Sequence, residues 1–219
     1  VLTADADGTI AIGVEAGNSL TSGQKNVALG YQALTANTQG DNSVAVGYQS
    51  LLAQNGVDGE YSNTAVGTHS GKAITTGKYS VAIGFEALLK EDVGNFSTAL
   101  GYASLYSQNT ASDGTTGNTG LGAYTGLYNV TGTNNTYVGF NAGLGATGNS
   151  NSNNTAVGKD AMLAITDGVA NVVVGVAAGD AMTSADYNTF IGYYAGSATV
   201  DADRCVAIGN GAMESGNAT

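Results

Sequence analysis

Proline and tryptophan are absent from this chain of 219 residues, cysteine and histidine occur once each, and lysine and arginine together number six. Each scarcity removes a class of answer. A lone Cys205 cannot build an internal disulfide framework or a cysteine metal site, so stability must come from packing. Six scattered cations (Lys25, Lys72, Lys78, Lys90, Lys159, Arg204) against 17 acidic residues leave a net charge of −11. Affinity for nucleic acid comes largely from Lys and Arg displacing counterions, so neither nucleic acid nor an anionic membrane is an expected partner. No apolar run reaches the roughly 20 residues that cross a bilayer, and membrane insertion is not expected. Residues 1–8 lack the basic and apolar regions of a signal peptide.

What the chain does have is glycine, 34 residues of it, in a fixed rhythm. The phrase Asn63-Thr64-Ala65-Val66-Gly67 returns as Ser80-Val81-Ala82-Ile83-Gly84, and twelve such phrases close on glycines from Gly13 to Gly209. Eight of the eleven intervals are 17 residues and the others are 19, 20 and 21, so additions fall between phrases that keep their register. A constant short period means units that cannot bury an apolar face alone and must stack on their neighbours. The expected fold is all-β: a parallel β-solenoid, or β-roll, of about twelve 17-residue coils. Residues 1–219 read as one repeat domain, a piece of a longer fibrous protein. At about 4.8 Å per stacked strand, twelve coils make a rod of roughly 55 Å.

Numbering each repeat from its closing glycine as zero exposes the columns. Position −1 is always aliphatic, −3 is Val, Thr or Ile, and −2 is usually Ala. This alternation of β-branched and small residues marks a strand of about five residues with one face on a packed interior, and the Thr of column −3 is expected to face inward. Column −4 holds Asn26, Asn63, Asn118, Asn135, Asn154, Asn171 and Asn188, with Ser43, Ser80, Ser97, Thr9 and Cys205. Stacked amides both donate and accept, which predicts an asparagine ladder with Cys205 as a structural substitute. A second glycine at −7 (Gly23, Gly40, Gly77, Gly94, Gly132, Gly168) is read as a turn at a backbone angle other residues resist. Column +4 is Leu, Met or Gly throughout. Its order Leu34, Leu51, Gly71, then Leu88, Leu105, Gly126 relates residues 24–77 to 78–132 as duplicated three-coil blocks.

The phrase Ser43-Val44-Ala45-Val46-Gly47-Tyr48-Gln49-Ser50-Leu51, followed by a Thr-Gly turn in other copies, resembles the head of trimeric autotransporter adhesins. It also resembles the repeat shaft of phage tail fibres, where a 17-residue version is common. Nearly the whole chain carries the resemblance. It implies a left-handed parallel β-roll and a side-by-side homotrimer whose apolar faces meet along the axis. Adhesin heads usually have shorter coils, and this departure favours the tail-fibre reading.

Two features could recognise something. An aromatic column at +1 (Tyr31, Tyr48, Phe85, Tyr102, Phe140, Tyr193) is interrupted by Thr68, Ala123, Lys159 and Val176. Exposed rings stack on sugar faces, although a column of rings also packs coil on coil. The additions at 54–60, 108–117 and 146–153 leave the coil at similar phases and should project from one side, as recognition loops do. Asp58, Glu60 and Asp113 are calcium candidates there, but a site needs six to eight oxygens and the spacing does not supply them; no cofactor is expected. Asp5-Ala6-Asp7-Gly8 begins like a calcium loop and lacks the rest. His69 beside Ser70 occupies ordinary columns, without the pocket a Ser-His-Asp site requires.

The expected function is a structural and adhesive fibre segment of a phage tail fibre, in the virion or otherwise at an extracellular surface. It would present or contribute to binding of a host-surface glycan or protein, without catalysis. The alternative is the head of a bacterial trimeric autotransporter-like surface adhesin. A polysaccharide depolymerase would need a carboxylate pair in a groove, and Glu91-Asp92 and Asp201 with Asp203 sit in turns. An ice-binding solenoid would need two aligned Thr columns, where the chain has one.

Overall fold

The computed structural model describes residues 6–56, 59–110 and 114–214. Twelve short strands, from Ile10–Ile12 and Val27–Leu29 through to Val206–Ile208, form one parallel sheet in chain order. Every pairing joins like columns, for instance Val27 with Val44, Ala28 with Ala45 and Leu29 with Val46. Twelve strands make about eleven turns of solenoid. The phrase sets the register, and the 19-, 20- and 21-residue coils keep it: Thr98, Ala99 and Leu100 pair with Thr119, Gly120 and Leu121.

Each strand is three residues long, not five, because the backbone turns at the closing glycine. All twelve of these glycines have φ between 125° and 142°. A Cβ built on Gly84 would lie 2.3 Å from the carbonyl oxygen of Gly101 in the next coil. Glycine is therefore required twice over, by backbone angle and by the approach of the neighbouring chain. The −7 glycines differ from the expectation. They do not have positive φ; a Cβ on Gly77 would instead meet the Gly94 oxygen at 2.7 Å. The left-handed conformation is found two residues later, at Lys25, Asn42, Tyr79 and their equivalents, and again at +2 and +4. Non-glycine residues accept its cost of about 1–2 kcal/mol because the turn amides bond to neighbouring coils, as Gln49 N–H does to Tyr31 C=O at 2.9 Å.

The interior is filled from both halves of the coil. Column −2 supplies Ala28, Ala45, Ala65 and their equivalents, and column +4 supplies Leu34, Leu51, Leu88, Leu105 and Met162, all buried. Where +4 is glycine, something else takes the volume. Leu20, Ile74 and Met182 at +7 fill the space beside Gly17, Gly71 and Gly179. The rings of Tyr137 and Phe190, both at −2, fill it beside Gly126 and Gly143, and beside Gly196.

The asparagine column is a ladder, and its main partners are backbone. Asn154 Oδ1 accepts from Asn171 N–H at 2.9 Å, and Asn154 Nδ2 donates to Gly168 C=O at 2.8 Å. Amide-to-amide bonds run alongside, as from Asn171 Nδ2 to Asn154 Oδ1 at 3.0 Å. Cys205 ends this run by donating its N–H to Asn188. The three-coil blocks share a second polar device. Asn37 and Glu91 occupy equivalent places and accept from the N–H of Gly40 and Gly94 at 3.0 and 2.8 Å. One coil later Gln54 and Gln108 bond to Ser43 and Ser97.

Candidate functional site

The outward face of the strands is a uniform surface that repeats from coil to coil. In the central strands only the −2 residue is buried, while −3 and −1 are half-buried or exposed. Thr64, Thr98 and Thr119 thus face outward, contrary to the expected inward Thr column. The alternation is present with its sense reversed: the −2 residue packs inside, and it is small wherever the +4 or +7 side chain of the opposite half already fills the coil. Aliphatic side chains remain uncovered, with Leu29, Leu100 and Leu121 between 42% and 45% exposed. No charged residue interrupts columns −3 and −1.

Beside this face runs the aromatic column, and all six of its expected members are exposed. Tyr31 stacks on Tyr48 with centroids 5.5 Å apart, and Phe85 on Tyr102 at 5.2 Å. The interruptions at Thr68 and Ala123 are closed from the adjacent column. His69 bridges Tyr48 and Phe85 at 5.3 and 6.4 Å, and Tyr124 bridges Tyr102 and Phe140 at 5.2 and 5.9 Å. Seven rings therefore form one ladder from Tyr31 to Phe140. Tyr193 stands apart and packs edge-on against Tyr194 at 4.4 Å. The sequence held the signal for this compensation: wherever a non-aromatic +1 in the ladder occurs, +2 supplies a ring.

His69 is thus a member of the ladder, with Glu86 Oε1 3.7 Å from its Nδ1. The Ser70 hydroxyl bonds to Gly67 C=O and to Ser50, so the two neighbours serve different parts of the coil.

Beside the Tyr102–Tyr124 step of the ladder, where Ala103 adds no side-chain bulk, an open groove of about 210 Å³ forms. Tyr102, Tyr106, Tyr124, Tyr128, Leu127 and Glu86 line it with Ala103. The nearby Tyr124 phenol, partial burial and Glu86 together hold the Tyr102 phenol above its ordinary pKa. Lys90 Nζ lies 4.9 Å from the Tyr106 ring centroid, within cation–π range. Tyr106 and Tyr128 leave no columnar signal in the sequence, because each is the only aromatic residue in its column, at +5 and +6.

The additions between coils do not project as whole loops. Gln54 and Gln108, expected to open two of them, are buried members of the polar network, and Asn149 and Asn151 of the third are buried as well. Gly59–Glu60 pairs in parallel with Gly40–Asp41, and Glu60 accepts from Asn42 Nδ2 at 3.5 Å. Asp58 and Asp113 lie outside the described residues. Among the described residues no three His, Cys, Asp or Glu side chains gather as a metal site, and no helix is long and apolar enough to cross a membrane.

Two stretches of the chain, residues 22–50 and 71–87, match the YadA head domain repeat. No curated protein and no solved structure matches the chain. The matched repeats and the twelve-stranded solenoid together support a β-roll repeat protein of the adhesin type.

Proposed function

We propose that this chain is a structural segment of a phage tail fibre, an adhesin-like surface fibre in which three copies pack side by side, with host attachment and no catalysis as its task. The observation that carries the reading is the uncovered aliphatic face of the twelve strands. Burial of apolar surface gives about 25 cal/mol per Å², and contiguous apolar patches of this extent are uncommon on monomers. Further copies of the same chain fit it best, since the face repeats with the coil and like strands meet along its full length. The adhesin-type repeats agree with self-association and with a surface-exposed, extracellular setting. A rod stacked in this way is stiff, and inter-coil backbone bonds leave sheet edges only at its two ends.

The head of an autotransporter-like surface adhesin is the second reading, favoured by the matched repeat at residues 22–50 and 71–87. The 17-residue coil favours the tail fibre. Both readings require the same assembly. Light scattering should give three times the chain mass of 21.7 kDa, and Leu100→Lys with Leu121→Lys should release monomers. A compact monomer for the unaltered chain would refute the proposal.

A further inference from the structure

Four of the chain's twelve tyrosines (Tyr102, Tyr106, Tyr124 and Tyr128) meet in two consecutive coils. The solenoid does not require two of them. Column +5 is leucine in the neighbouring coils, at Leu89 and Leu127, and column +6 is alanine at Ala36, Ala53, Ala73 and Ala164. Tyr106 and Tyr128 depart from those columns, and both remain half-buried at the surface. Ala103 forms part of the floor between them.

We infer that the groove walled by Tyr102, Tyr106, Tyr124 and Tyr128 is a subsite for one neutral pyranose ring of a surface polysaccharide, an inference that rests on the surface-fibre function proposed above. Phenol rings give a sugar's C–H face an apolar wall while their hydroxyls stay available to its hydroxyls. The Glu86 carboxylate, which lines the groove, adds an acceptor. The size matches one ring: about 210 Å³ is below the roughly 300 Å³ at which drug-sized pockets begin. Charge selects a neutral sugar, because Glu86 faces the groove in a chain of net charge −11. Tyr106, Leu127 and Tyr128 belong to the half of the coil that follows the strand, so copies packed on the strand face leave this wall open.

The test is saturation-transfer NMR on the full chain with methyl β-glucopyranoside as probe and methyl β-glucuronide as the anionic comparison. Transfer from tyrosine rings to the C–H protons of the neutral sugar is expected, with millimolar affinity. Tyr106→Leu with Tyr128→Ala uses residues the array already carries in those columns, so folding is preserved, and binding should weaken about tenfold. Tyr79→Ala, in a separate stack with Phe96, should leave it unchanged. Absence of transfer, transfer unaffected by the double variant, or equal binding of the glucuronide would each overturn the inference. A trimer that binds no sugar refutes the groove and leaves the fibre standing, whereas a monomer that binds it does the reverse.

Discussion

Replacing Tyr137 by alanine should destabilise the solenoid by about 3–5 kcal/mol, the range for a fully buried aromatic truncated in place, and Gly143→Leu should recover part of that loss. The Tyr137 ring is completely buried, and a Cβ on Gly143 would meet its Cε1 at 2.3 Å. Leucine at Gly143 alone must therefore overpack the core, at about 1–3 kcal/mol or more. It must also hold the left-handed conformation, since Gly143 has φ 60°. The fold tolerates that angle for leucine: Leu34, Leu51, Leu88 and Leu105 occupy the same column with φ between 47° and 53°. With the ring removed, the leucine side chain enters the vacated space and its burial returns about 2–3 kcal/mol, against roughly 1 kcal/mol for backbone strain. The double variant should then be more stable than Tyr137→Ala by about 1–2 kcal/mol, whereas additive behaviour would make it less stable by several. Urea midpoints measure the cycle, with native-state amide exchange of strand Thr136–Val138 as the local readout. A double variant no more stable than Tyr137→Ala would refute the idea that columns −2 and +4 share one volume.

Three further outcomes follow from the same geometry. Asn154→Ala strands the Asn171 N–H and the Gly168 C=O inside the stack, costing about 2–4 kcal/mol in urea denaturation. Serine at that position should cost less, since the Ser80 hydroxyl already accepts the Ser97 N–H at 3.3 Å. Gly84→Ala should destabilise by more than about 4 kcal/mol, the range that marks a forced clash. Gly209→Ala, which shares the backbone angle but has nothing within 4 Å of its Cβ, should show only the strain of about 1–3 kcal/mol. Burial pushes the Tyr137 phenol above its ordinary pKa of 10.0, partly offset by its hydrogen bond to Asn151. Its contribution to stability is therefore complete below pH 10 and lost as pH rises further, by up to about 1.4 kcal/mol per pH unit. Tyr137→Phe should flatten that alkaline limb in pH-dependent thermal unfolding.

The three-coil blocks were legible because column +4 repeats Leu, Leu, Gly, and the structure adds the matched pairs Asn37 with Glu91 and Gln54 with Gln108. The ladder of rings was half legible. Its +1 members form a column, but His69 and Tyr124 lie one residue away in sequence, and only the left-handed turn at +2 lets their rings enter the same stack. The tyrosine groove left no columnar signal, since its members come from columns +1, +2, +5 and +6. They converge only when consecutive coils are laid on one another.

The sequence alone determined the period, the all-β parallel stack, its register and the polar column, because a repeated phrase has one low-energy way to pair with its own copies. Only the tertiary structure decided which side of each strand is inside. Period-two alternation is symmetric between the two faces, and the choice was made by the opposite half of the coil. There the +4 leucines and +7 side chains leave room beneath the strand for alanine, and the large aliphatic residues are turned outward. That reversal produced the uncovered face on which the proposed assembly depends.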